Sequence, residues 1–127
     1  MTLSTKAPDV VIVSADKERY QLWSEQFGDR AQTRWAESGR QMLAHAVEKT
    51  PALAILDDDL PDMTPLDLAR QLIFTNALIN VALVSEAPEE RFHEATEGLG
   101  VVAQLPRVPD SHTVSRLLEA LSAMGRV

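Results

Sequence analysis

Cysteine is absent from the 127 residues. That excludes disulfides, thiolate metal ligands and thiol nucleophiles, and leaves the compartment undecided. No apolar run approaches the roughly 20 residues that a membrane span needs. The N-terminus lacks a basic segment followed by a long apolar core, so no signal peptide is expected and a cytoplasmic location is the default. Cations are outnumbered: Lys plus Arg 12 against Asp plus Glu 19 gives a formal charge of −7. Such a balance opposes nonspecific binding to nucleic acid or to an anionic membrane. No glycine-rich loop follows the first apolar run, which leaves nucleotide and flavin binding without support. The histidines His45, His93 and His112 fall on different predicted helices, without metal-ligand spacing, and read as surface residues.

What is present is a 45% apolar chain, enough for one core in one domain spanning 1–127, with that core at about 8–124. Short apolar runs alternate with amphipathic segments. Val10–Val13 is the first predicted strand, and Tyr20, Trp23 and Phe27 then recur at helical spacing up to Gly28. Thr33–Ala36 is a weaker second strand, nearer a sheet edge. Ser38 with Gln41 three residues on predicts a capped helix carrying Met42, Leu43, Ala46 and Val47 on one side. Leu53–Leu56 is the third strand. Thr64 as N-cap and Pro65 behind it open a helix with the stripe Leu68, Ala69, Leu72 and Ile73. Val81–Val84 is the fourth strand, followed by a helix begun at Pro88 with Phe92, Ala95 and Leu99 inward. Gly100 precedes the fifth strand, Val101–Ala103, and Val114, Leu117, Leu118 and Leu121 line the last helix.

Four of the strands are continuously apolar, as a parallel sheet covered on both faces requires. Five β-α units in this length predict an open, doubly wound five-stranded parallel sheet, an α/β fold of flavodoxin-like type. Ligands in such folds sit at the C-terminal strand ends. Ser14, Asp57, Ser85 and the stretch from Gln104 to Arg107 all fall there.

With these elements in place, the chain resembles the receiver domain of bacterial two-component response regulators over nearly its whole length. The most specific piece is Leu56-Asp57 through Pro61, then Met63 and Leu66, similar to the family's strand–Asp–loop–Pro–helix segment. The resemblance implies that Asp57 is the phosphoacceptor, with Ser85 at the phosphate-contacting Ser/Thr. It puts Arg107 at the family's Lys and Gln104 at its aromatic switch. It implies a histidine kinase or another signalling protein as partner, and a homodimer or partner contact through the fourth and fifth helices. It implies no activity as an enzyme.

The departures from the family concern charge. Ser14 and Ala15 stand where the family carries two acids that hold Mg²⁺. Magnesium wants carboxylate oxygens in a near-octahedral shell, and phosphoryl transfer depends on neutralising the incoming anion. Mg²⁺ binding is therefore expected to be weak or absent, and phosphorylation of Asp57 weak or lost. The remaining candidate ligands are Asp57, Asp59, which projects to the same side if the backbone stays extended, and Asp16. The competing expectation has Asp16 capping the first helix, with Asp58, Asp59 and Asp62 as solvated loop acids.

Arg107 either meets a phosphoryl group, neutralises Asp57 or stands as an exposed loop cation, and Arg and Lys are not interchangeable at a tight site. The family's Lys-Pro bond is cis. Here Val108 follows Arg107, and a cis bond before it would cost roughly 3 kcal/mol, so a trans bond or a shifted cis-Pro is expected. Ser85 within Ser-Glu-Ala-Pro also reads as an ordinary helix start, and Gln104 cannot reproduce an aromatic switch. Trp23, Trp35 and Phe27 are packing residues rather than a cofactor box.

Three functions compete. The first is an atypical receiver, and the second a phosphorylation-independent pseudo-receiver acting through protein contact. The third, a phosphatase of haloacid-dehalogenase type suggested by Asp57-Asp58-Asp59, fails on Pro61, on the motif's place mid-chain and on the shortness of the domain. Nothing after Val127 reads as an output domain, so a stand-alone module or a piece of a longer chain is expected.

Overall fold

In the computed structural model, which describes residues 7–124, β1 (Asp9–Val13), β2 (Gln32–Ala36), β3 (Leu53–Leu56), β4 (Asn80–Val84) and β5 (Val101–Leu105) form one sheet. All four pairings are parallel, in the order β2-β1-β3-β4-β5. Five helices intervene or follow: α1 (Lys17–Phe27), α2 (Gly39–Glu48), α3 (Pro65–Thr75), α4 (Glu89–Thr96) and α5 (Ser111–Ala123). This is the doubly wound, flavodoxin-like arrangement that the alternation of elements predicts.

The continuous apolar strands explain the layering. Side chains alternate across a strand, so Val10 and Ile12 of β1 face one layer while Val11 and Val13 face the other. The first layer is completed by Trp23 and Phe27 of α1 and by Val114, Leu117 and Leu121 of α5. The second takes Met42 and Ala46 of α2, Leu68, Ala69 and Leu72 of α3, and Phe92 of α4. A strand polar on one face would leave one of these layers without a floor.

The helix starts follow the caps seen in the sequence. The Ser38 hydroxyl accepts from the Gln41 amide at 3.1 Å, and Thr64 Oγ1 from the Asp67 amide at 3.1 Å, with Pro65 just inside α3. Asp16 caps α1, its carboxylate accepting from the Glu18 amide at 2.9 Å. All peptide bonds among the described residues are trans, those around Arg107 included.

Several expectations about facing and extent need correction. Val47 points outward and is 78% exposed, because Met42 and Ala46 already set the inner line of α2. Ile73 is half-buried. In α4 the residue one turn beyond Phe92 is Thr96, and it is buried while Ala95 is exposed. The Thr96 hydroxyl satisfies itself by donating to the Phe92 carbonyl at 2.8 Å. Leu99 packs on the core from the turn after α4 rather than from the helix. β5 runs on through Gln104 and Leu105, so Gln104 belongs to the strand and not to the loop after it.

Candidate functional site

β1, β3 and β4 end side by side, which places Ser14, Asp57 and Ser85 along one rim of the sheet. Asp57 is the buried acid of that rim, 6% exposed, with its own amide tied to the Val13 carbonyl at 2.9 Å. Its carboxylate is occupied on both oxygens. Oδ2 accepts from the Ser14 hydroxyl at 2.7 Å. Oδ1 accepts from the Asp58 amide at 2.8 Å and from Arg19 Nη1 at 3.2 Å.

Ser14 is fully buried, and its hydroxyl has one proton to give. The Asp16 carbonyl lies at 3.2 Å, but the carboxylate is closer and charged, so the proton goes to Asp57. The same oxygen accepts from the Asp16 amide at 3.0 Å, and the Trp35 indole holds the Ser14 carbonyl at 2.9 Å. Trp35 in turn stacks on Tyr20 with ring centroids 5.6 Å apart. Packing therefore fixes Ser14 as a donor aimed at Asp57.

Arg19 escapes a reading by motif, since it belongs to no family pattern and sits inside a helix. One signal does mark it. Arg19 lies in the first turn of α1, where the helix dipole disfavours a cation, and a nearby anion offsets that cost. That anion is Asp57, and the Arg19 side chain is only 20% exposed.

The other site candidates gather elsewhere on the rim. Arg107 pairs with Asp58, Nε to Oδ2 at 3.0 Å, and approaches Glu86 at 3.5 Å. Neutralising Asp57 thus falls to Arg19, while Arg107 fastens the loops after β3 and β4 to the loop after β5. Asp58 is accordingly a half-buried ion-pair partner rather than a solvated acid. The Ser85 hydroxyl turns back on its own loop and accepts from the Ala87 amide at 3.1 Å. Gln104 reaches the same loop, its Nε2 donating to the carbonyls of Ser85 at 3.0 Å and Ala87 at 2.8 Å. Gln104 is thus a polar latch on that loop.

Asp16 is taken by its capping role, and Asp59 is exposed with no hydrogen bond to the other described residues. Asp62 is exposed as expected, and it also binds the start of α2, its two oxygens accepting from the amides of Gly39 at 2.9 Å and Arg40 at 3.0 Å. Those amides, Gly39 first, hold its carboxyl below the usual carboxylate range. His45 is half-buried and meets Arg34 Nη1 at 3.1 Å, so of the three histidines only His93 and His112 are surface residues. Among the described residues, no group of three or more acids or histidines converges as a metal-binding set.

Burial pushes the Asp57 carboxyl up from its ordinary value, outweighing the Ser14 bond, the Asp58 amide and Arg19, which pull it down. A raised acid favours the folded chain while protonated. That stabilisation is complete below the unfolded-state pKa and is lost as pH rises through the folded-state value. Asp57→Asn mimics the neutral acid, so at pH 7 it is expected to unfold no more easily than the parent, within about 1 kcal/mol. Towards pH 4 the parent should gain on the variant. Urea melts of both proteins across this range measure the difference, and a variant losing several kcal/mol at pH 7 contradicts the assignment.

No family model matches the sequence, and no curated protein matches it. Solved structures do match. A chemotaxis response regulator of Vibrio cholerae superposes with a TM-score of 0.80 at 18% identity, covering 92% of this chain and 99% of that one. The signal receiver domain of an HD domain-containing protein from Pseudomonas fluorescens gives 0.81 at 17% identity, covering 100% and 98%. A two-component response regulator from Clostridium difficile gives 0.81 at 12% identity, covering 94% and 99%. Similarity this low in sequence and this complete in space speaks to architecture, and the chain has the fold of the response-regulator receiver domain.

Proposed function

We propose that this chain is a receiver-fold signalling module that acts through protein contact, independently of phosphorylation at Asp57. The observation that carries this reading is the closed state of Asp57, whose two oxygens already accept from Ser14, Arg19 and the Asp58 amide. A hard divalent cation needs several carboxylate, carbonyl or water oxygens at about 2.1 Å. Ser14 and Ala15 offer one hydroxyl, already engaged, and one methyl, so the residues around Asp57 do not fit Mg²⁺. Phosphoryl transfer to a buried carboxylate without such a cation meets uncompensated repulsion.

Recognition survives that loss. A groove of about 470 Å³ runs between α4, β5 and α5, lined among others by Phe92, Val101, Ala103 and Leu117. β5 is the last strand of the sheet, and its first four residues are only half-buried. Gln104 and Arg107 fasten the adjoining loop, which supports a groove of one fixed shape. A histidine kinase, another signalling protein or a second copy of the chain is the partner class that such a face serves, and the module itself catalyses nothing.

The test is exposure to Mg²⁺ with a small phosphodonor or with beryllofluoride, followed by intact mass and amide NMR spectra. The expected result is an unmodified mass and unchanged resonances around Asp57. Saturable modification that disappears in Asp57→Asn would establish the phosphoacceptor instead, and turnover of phosphate esters would establish an enzyme.

A further inference from the structure

We propose that Arg19 is the resident cation of the Asp57 pocket, a side chain that takes over the electrostatic role of a divalent ion and at the same time bars one. The inference rests on the phosphorylation-independent reading and says what enforces it. Loss of two acids alone would leave Asp57 as a buried, uncompensated anion. The structure answers that deficit with one guanidinium for one carboxylate, at 3.2 Å.

Three features make Arg19 part of the site rather than a passing surface contact. It is the third residue of α1, and α1 is anchored at that end by the Asp16 cap and by the Asp16 amide on Ser14. The Arg19 side chain is four-fifths shielded from solvent, and that of its partner is almost fully so. Its position in the first turn opposes the helix dipole, a cost that the ion pair with Asp57 offsets. Arginine suits this better than lysine, because a guanidinium is weakly hydrated and stays charged when partly buried.

A cation that fills the pocket competes with any metal for Oδ1. The consequence is specific: rebuilding an acid at position 15 does not by itself rebuild a metal site, since Arg19 pairs with whichever carboxylates are present. Only removal of the guanidinium frees them.

The experiment is a four-way Mn²⁺ and Mg²⁺ titration by calorimetry on the parent, Ala15→Asp, Arg19→Gln and the double variant. Position 15 is exposed, so the new acid is tolerated by the fold. Ala15→Asp is expected to gain little, and the double variant about tenfold more than the two single changes combined, a coupling of ordinary size for residues that share one ionic network. Equal affinity in Ala15→Asp and the double variant, including none in either, overturns the role of Arg19. Millimolar or tighter binding by the parent overturns the functional reading itself.

A second cycle needs no metal. Arg19→Gln is expected to lower the urea midpoint in the parent and to lower it less in Asp57→Asn, where the charge it balances is gone. Equal losses in the two backgrounds would reduce Arg19 to a packing residue and overturn the proposal.

Discussion

Trp23→Ala is expected to cost about 3–5 kcal/mol, the usual penalty for removing a large aromatic from a packed core. Trp23 is 1% exposed and lies in the layer between α1, α5 and the sheet, with Phe27 at a ring-centroid distance of 6.4 Å. Nothing at that position can collapse inward, because Val10, Ile12, Leu53 and Ile55 beneath it belong to the paired central strands. The matching change Trp23→Phe separates volume from polarity. The indole Nε1 is buried without a hydrogen-bond acceptor among the described residues. A buried donor left unpaired costs about 1–3 kcal/mol, so Phe loses packing but removes that penalty. The expected net is a loss of about 1 kcal/mol or less. Urea denaturation of the three proteins measures both numbers, and a Phe variant as damaged as the Ala variant would show that the indole ring fits for reasons other than bulk.

This asymmetry between core and rim also explains what could be read from the sequence. Val10–Val13, Leu53–Leu56 and Val81–Val84 announce themselves because a strand buried on both faces has no polar positions to blur it. Ser38 with Gln41 and Thr64 with Pro65 are legible because a cap is a contact between residues three apart. Ala95 misleads because an eight-residue helix offers too few turns to define a face, and Thr96 hides its hydroxyl against its own backbone. The partners of Arg19, Asp62 and Arg34 escape entirely. Each of the three spends its charge on a partner more than twenty residues away, and no local period encodes such a distance. Asp57 itself was legible, but its environment was not. Its position comes from strand and loop pattern, whereas the guanidinium that occupies it comes from how α1 leaves β1.

Arg34→Met is expected to cost about 2–4 kcal/mol, somewhat below the range for breaking a fully buried pair because the side chain is one-quarter exposed. Arg34 lies on β2 at the edge of the sheet and grips Asp9 with both ends of its fork, Nε to Oδ1 at 3.1 Å and Nη2 to Oδ2 at 2.7 Å. The same Nη2 donates to the Lys49 carbonyl at 2.9 Å, and Nη1 meets His45 Nδ1 at 3.1 Å. One side chain therefore joins the start of β1, the edge strand and the end of α2. Methionine keeps the stem and removes every donor, which leaves the Asp9 carboxylate largely buried and unpaired. Adding Asp9→Asn to Arg34→Met should recover a good part of the loss, since the cost lies in the stranded charge more than in the missing bond. Arg34→Lys should fall between, because an ammonium cannot reproduce the fork. A loss under about 0.5 kcal/mol for Arg34→Met would place this pair among the weak surface contacts. The comparison with Arg19 is the informative one. Both are arginines on shielded acids, Asp57 buried and Asp9 partly so, but Arg34 ties elements at the start of β1 and Arg19 neutralises the rim beyond its end. Arg34 should therefore govern unfolding without touching metal affinity, and Arg19 should govern metal affinity with the smaller effect on unfolding.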